Sequence, residues 1–260
     1  MRLGLLLVSL LAACDNSTGV VDLEGEDALN DAPDYSAYDN ATLRIVEPAS
    51  GAFLALEEVH DFTATLTGAD GAPLDVEDIS WTSSVDSTWE QTGVAFQDDT
   101  LDVGTHDITA EIELPNGDRL AHTVGGVLVQ SKYAGTYAGL FSANVTYDVY
   151  TVACSGAALI IVDPYGENAT GTADCLISLG GYDVQAQYIF DLQNDDGVLS
   201  GTASADIGGL FQYPFDATGT LDPASDTLEI TFGGDVFGLM TIDAAVGTER
   251  VSLDSEPLAP

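Results

Sequence analysis

Three histidines and 43 acidic residues are the side chains best suited to acid–base or metal chemistry in this 260-residue sequence. His60 and His106 share the apparent inward stripe of strand-like segments, and His122 lies on the strand that follows. An imidazole so placed more often satisfies a core hydrogen bond than serves as a base or metal ligand. A hydrolase needs a nucleophile, a base and an oxyanion hole. The sequence has no H-E-x-x-H, no G-x-S-x-G and no phosphate-binding glycine loop. Carboxylate pairs can be drawn anywhere in so acidic a chain, so no single pair singles out a glycosidase site. The acidic runs also lack the ordered D-x-D-x-D-G spacing of a calcium loop. Calcium suits the charge but has no motif to hold it. The expectation is a non-enzyme with no catalytic residue, no metal site and no cofactor.

The balance of 43 acidic against five basic residues, net −38, opposes nucleic acid and anionic lipid surfaces, where each phosphate contact needs a cation. With 45% hydrophobic residues, the chain can still bury substantial cores.

Sulfur supplies the most specific chemistry. Arg2 precedes an apolar run from Leu3 to Leu11, and small Ala12 and Ala13 lead to Cys14. This is the grammar of a signal peptide over 1–13, too short to span a bilayer as a helix. Leu11-Ala12-Ala13-Cys14 resembles the bacterial lipobox. That resemblance implies cleavage before Cys14, a diacylglyceryl thioether on its sulfur and acylation of the new amine by a fatty acid such as palmitate. Two or three acyl chains anchor firmly where one holds only marginally. The implied address is the cell envelope, on its periplasmic or surface face, with the membrane as a partner through the lipid. Asp15 resembles a retention signal of enteric inner membranes, but that rule varies among bacteria, and the choice of membrane stays open.

With Cys14 lipidated, Cys154 and Cys175 are the pair left for a disulfide in a compartment that permits one. Asp163-Pro164-Tyr165-Gly166 between them has Pro and Gly where a β-turn wants them. If 163 faces 166, paired positions sum to 329, as do 154 and 175, which puts the two thiols opposite each other. A bulge within 168–171 would shift that register.

The elements that must position these residues read as all-β. Residues 14–41 are acidic and small, with Pro33 and no apolar period, as in a flexible tether. Residues 42–130 alternate as half-buried strands, with His60, Phe62, Ala64 and Leu66 on one face and Ile108, Ala110, Ile112 and Leu114 on another. The P-x-S-G opening at Pro48, the segment Ile79-Ser80-Trp81-Thr82-Ser83-Ser84 and the segment from Leu101 to Ala110 around Gly104-Thr105-His106 resemble bacterial Ig-like and PKD-type modules. That resemblance implies an N-terminal Ig-like β-sandwich with Trp81 in its core and a spacing or adhesive role.

Residues 131–254 read as an antiparallel meander of about eight or nine strands, closing as an up-and-down barrel or folding as a sandwich, with 255–260 as a tail. Tyr133-Ala134-Gly135-Thr136-Tyr137-Ala138-Gly139 resembles the opening of lipocalin-like bacterial barrels. An aromatic stripe of Tyr182, Tyr188, Phe190, Phe211, Tyr213 and Phe215 lies on the apolar face. It either fills the core or lines a ligand cavity. Two functions follow. The leading one is a lipid-anchored envelope protein with a non-catalytic binding, adhesion or structural role toward a protein or glycan; the other is a carrier of a small apolar ligand in a C-terminal barrel.

Overall fold

Alternation of apolar and polar side chains with period two runs through most of the chain, and each such run is a strand. A computed structural model describes residues 34–76, 78–179, 182–207 and 211–255. The signal segment, Cys14 and the tether up to residue 33 lie outside the described residues, as does the tail beyond 255.

The first half is built from β1 (Thr42–Glu47), β2 (Phe53–Ala55), β3 (His60–Thr67), β4 (Ser80–Ser83), β5 (Glu90–Thr92), β6 (Ala95–Asp98), β7 (Gly104–Glu113) and β8 (Arg119–Gln130). They form one sheet in the order β1-β3-β6 and a second in the order β2-β8-β7-β4-β5. Aromatic rings join the two sheets. Trp81, fully buried on β4, meets Phe62 of β3 edge-on at 6.2 Å, and Phe62 stacks on Phe96 of β6 at 5.0 Å. Both indole N–H groups have acceptors: Trp81 Nε1 donates to Gly93 O and Trp89 Nε1 to Asp98 Oδ2. The packed body begins before residue 42. Tyr38 leans on this core, and Ala41 belongs to it, so the last residues assigned to the tether are docked rather than loose.

The second half is a closed barrel of eight strands: β9 (Gly135–Tyr147), β10 (Tyr150–Val162), β11 (Asn168–Leu179), β12 (Tyr182–Asp195), β13 (Val198–Ile207), β14 (Phe211–Asp222), β15 (Thr227–Val236) and β16 (Met240–Ser252). Each pairs antiparallel with the next in sequence, and β16 closes on β9. Of the two architectures the alternation allowed, the up-and-down barrel is the one present. Its polarity is apolar inside and polar outside, with Tyr188 and Phe190 buried while Asp183, Gln185, Gln187 and Asp191 face out. A barrel that spans a membrane has the reverse polarity. Glycine lets the strands coil tightly: a Cβ on Gly156 would overlap the Asp174 carbonyl, and one on Gly201 the Asp191 carbonyl.

The register of β10 on β11 differs from the expected one. Gly156 faces Cys175 and Val162 faces Ala169, so partners sum to 331 rather than 329. The turn bond from Gly166 N to Asp163 O is present, but the hairpin closes one pair further out, where Asp163 N donates to Asn168 O. The Asp163 carboxylate explains the longer connection, since it accepts the Glu167 and Asn168 backbone N–H groups. A shift of two positions keeps every side chain on its own face. Cys154 and Cys175 therefore still point inward and form the disulfide as diagonal neighbours, 5.7 Å apart at Cα.

From Ala37 onward the chain is one compact unit. Leu56 N donates to Gln130 O where β2 and β8 end, and Ser131 N then reaches Pro164 O on the barrel. Since β2 runs parallel to β8, and β1 pairs Thr42 with Thr67 at the far end of β3, the chain enters the sandwich at the end away from the barrel.

Candidate functional site

The histidines are held by hydrogen bonds within the fold. His106 is fully buried on β7; its Nε2 lies 2.8 Å from Asp102 O and its Nδ1 2.6 Å from Ser83 Oγ. A carbonyl only accepts, so Nε2 carries the proton and Ser83 donates to Nδ1. Ser83 Oγ also accepts the Val85 and Asp86 backbone N–H groups, which makes it the cap of a turn. His60 Nε2 bonds to Ala55 O, and His122 Nδ1 accepts the Ile45 N–H across the sheets. Among the described residues, no three His, Cys, Asp or Glu side chains gather in a way that could hold a metal ion.

The two ends of the barrel differ sharply. At the end facing the sandwich, Gln130 Nε2 donates to Leu253 O, Thr136 Oγ1 to Asp254 O and Tyr133 Oη to Asp196 Oδ1. Arg250 donates to the Lys132 and Ala134 carbonyls and pairs with Asp226. Partial burial, then the Asp196 hydrogen bond and the charges of Asp196 and Asp222, push the Tyr133 phenol up to about 12.

Above this joint the barrel is filled by an aromatic plug. Phe141, Tyr188, Phe190, Phe215 and Phe232 come from four strands, with ring centroids 4.6 to 6.2 Å apart. The Tyr188 hydroxyl is buried there without a hydrogen-bond partner, and burial raises its pKa. Three members of the expected ligand-lining stripe, Tyr188, Phe190 and Phe215, are thus core fillers. They are buried because the narrow interior of an eight-stranded barrel is just wide enough for such side chains to fill it. Tyr213 is half-buried and donates to Asp235 O. The side chains of Tyr182 and Phe211 lie outside the described residues.

Beyond the plug, the next inward layer holds the Cys154–Cys175 disulfide. One inward step further, the barrel opens into a cup of about 410 Å³ lined by Val145, Tyr147, Tyr150, Val152, Ile177, Val184 and Met240. The volume is within the range of small-molecule sites. Sequence reasoning missed this lining because it is mostly aliphatic, and its two tyrosines, Tyr147 and Tyr150, lie at strand ends outside the aromatic stripe.

The rim is unusually apolar for a set of turns. Tyr147 and Tyr150 are paired across a two-residue connection, Asp148-Val149, in which Asp148 has φ 54°. Tyr147, Val149 and Tyr150 are 58%, 79% and 71% exposed. On the β15–β16 connection Phe237 and Leu239 are also exposed. Phe237 holds φ 57°, a region that bulky residues rarely adopt. Asp235 accepts the Gly238 N–H to fix that turn, and its neighbour Val236 pairs with Met240. Asp148 is exposed in the turn between the rim tyrosines, and Asp183 and Asp235 are exposed on the outer faces of β12 and β15 near the mouth. The only cationic residue between 133 and 255 is Arg250, committed at the opposite end.

No protein-family model matches this chain, and no curated protein matches it. Among solved structures, it is similar to a crystal structure of a point mutant of the vaccine antigen transferrin binding protein B from Haemophilus parasuis Hp5. That similarity has a TM-score of 0.34 and 11% identity over 74% of this chain and 50% of the other. The chain spans about half the length of that protein, and at that score the likeness says nothing about ligand or partner.

Proposed function

We propose that this chain is a lipid-anchored cell-envelope protein with a non-catalytic binding role, and that the open mouth of its barrel is the binding end. The mouth carries the reading. An apolar cup and a ring of exposed aromatic and aliphatic side chains sit on the end of the molecule furthest from the chain's entry. Exposed apolar patches of this kind mark interaction sites. The lipobox at Cys14 supports the anchor. Strand sharing of β1-β3-β6 against β2-β8-β7-β4-β5, with Trp81 buried between them, supports an Ig-like spacer that holds the barrel away from the membrane. The engaged histidines support a role without catalysis.

The cup favours one version of this role in particular, the carrier of a small apolar ligand. Nile red, an uncharged dye that brightens in apolar surroundings, tests it. The expected result is saturable brightening with the full chain, lost in Val184→Trp, which fills the cup, and kept in Trp89→Phe in the sandwich. Dye uptake that ignores Val184→Trp would remove the mouth as the site. The anchor has its own test: Cys14→Ser should move the protein from the membrane to the aqueous fraction.

A further inference from the structure

Resting on the mouth as the binding end, we infer that its occupant is a cationic amphiphile: a single apolar chain that enters the cup, with a positively charged head left at the rim. The first part of the argument is the shape of the site. The cup is the inside of a closed barrel in which β14 and β15 pair from Ala217–Phe232 to Asp222–Thr227 and part toward the mouth, where the Tyr213 hydroxyl donates to the Asp235 carbonyl. Its walls, from Val145, Val152, Ile177, Val184 and Met240, give a peptide's N–H and C=O groups nothing to bond. Burying those groups unpaired is costly, whereas a hydrocarbon chain has none.

Charge decides the head. Asp148 turns the chain between the two rim tyrosines, Asp183 lies next to the cup residue Val184, and Asp235 fixes the turn beside Met240. Asp183 accepts a hydrogen bond from Ser178, and Asp235 accepts the Gly238 N–H, so both carboxylates are fixed on the outer face of the barrel wall near its mouth. No lysine or arginine of the barrel lies at this end, since Arg250 is clasped to Asp226 at the other. A carboxylate or phosphate head would meet only like charge, on a chain of net −38. An ammonium head would meet the exposed Asp148 carboxylate between the two rim tyrosines, the negative field of Asp183 and Asp235 on the outer strand faces, and the rings of Tyr147 and Tyr150, whose faces attract cations. The site thus discriminates against fatty acids and phospholipids, the commonest single- and double-chain amphiphiles of a membrane.

Calorimetric titration of the full chain carrying Cys14→Ser, which needs no detergent, tests this with three probes of one chain length below their micellar concentrations: decyltrimethylammonium, decanol and decanoate. The ammonium should bind about tenfold more tightly than the alcohol at low salt, and decanoate about tenfold more weakly than the alcohol. Both gaps should shrink as salt is raised, because the rim carboxylates face water. The Asp148→Asn, Asp183→Asn, Asp235→Asn triple variant should bring the three affinities together while leaving decanol unchanged. Val184→Trp should abolish all three, with Ile177→Trp as the second cup-filling variant should the first fail to fold. Equal affinities in the unsubstituted mouth would overturn the charge inference and leave the mouth as the binding end. No binding of any of the three, or binding that survives a folded cup-filling variant, would overturn both. A lysine-flanked leucine peptide that competes more tightly than the ammonium would replace the small amphiphile with a polypeptide and overturn the assignment.

Discussion

The two ends of one barrel, built from the same eight strands, have opposite chemistry. The end against the sandwich is turned by Asp163-Pro164-Tyr165-Gly166, by Asp195-Asp196-Gly197 and by Asp222-Pro223-Ala224-Ser225-Asp226, and its carboxylates are spent on backbone N–H groups, hydroxyls and one arginine. The opposite end is turned by Asp148-Val149 and by Phe237-Gly238-Leu239, where apolar side chains stand in water. Polar turn residues favour the turn and cost nothing in solvent, whereas exposed Phe and Leu bring no such gain. A barrel that could have been closed by polar turns at both ends keeps one end greasy and hollow. Stability is concentrated in the plug and joint, and the mouth is left free for contact.

That contrast can be broken most severely at the plug. Phe232→Ala should cost about 3–5 kcal/mol in denaturant unfolding, because four aromatic neighbours lose a partner in a packed interior. Met240→Ala, at the half-exposed cup wall, should cost well under half of that; equal losses would erase the distinction between plug and mouth.

The disulfide sits at the boundary. Replacing Cys154 and Cys175 together by alanine should lower stability by about 3 kcal/mol, since the bridge closes a loop with a sequence separation of 21. The register of β10 on β11 should persist, because fourteen paired positions from Gly156–Cys175 to Val162–Ala169 hold it without sulfur. Loss of the barrel's amide protection pattern in the double variant would show that the bridge sets the register.

The joint should reveal itself in alkali. The Tyr133 proton is held more tightly in the folded protein, about 12 against an ordinary value near 10, so its contribution is intact below about pH 10. It is lost as the pH rises from there toward 12, as the unfolded phenol ionises first. Tyr133→Phe should therefore flatten the decline of stability over that window; an unchanged slope would mean the joint does not carry this proton. The smallest stability effect belongs to the rim. Tyr150→Ser should change stability by no more than about 0.5 kcal/mol, as for other surface positions, while weakening dye uptake measurably.

Much of this fold is legible in the sequence because a period of two, read over long runs such as 182–192, survives any choice of architecture. Closure is different. Whether the meander ends as a barrel or a sandwich depends on β16 finding β9 more than ninety positions earlier in the chain, a long-range pairing that no local pattern encodes. The expected register failed for a local reason, an aspartate whose two oxygens capture a longer turn. The aromatic stripe pointed to the plug instead of the cup, because large rings fill space and short aliphatics leave it. A usable signal was present in the turns: Tyr147-Asp148-Val149-Tyr150 and Phe237-Gly238-Leu239 are apolar where the connections at the sandwich end are polar. Cys14, the one residue tied to a specific reaction, rests on its sequence motif.

The most direct measurement is a methyl NMR titration of the full chain with decanol, a probe without charge. Chemical-shift changes confined to Val145, Val152, Ile177, Val184 and Met240, with Ile160, Leu199 and Leu228 near the joint unmoved, are what a hollow mouth above a solid plug requires. Shifts centred on the joint or on the sandwich, or none anywhere at saturating probe, would contradict it.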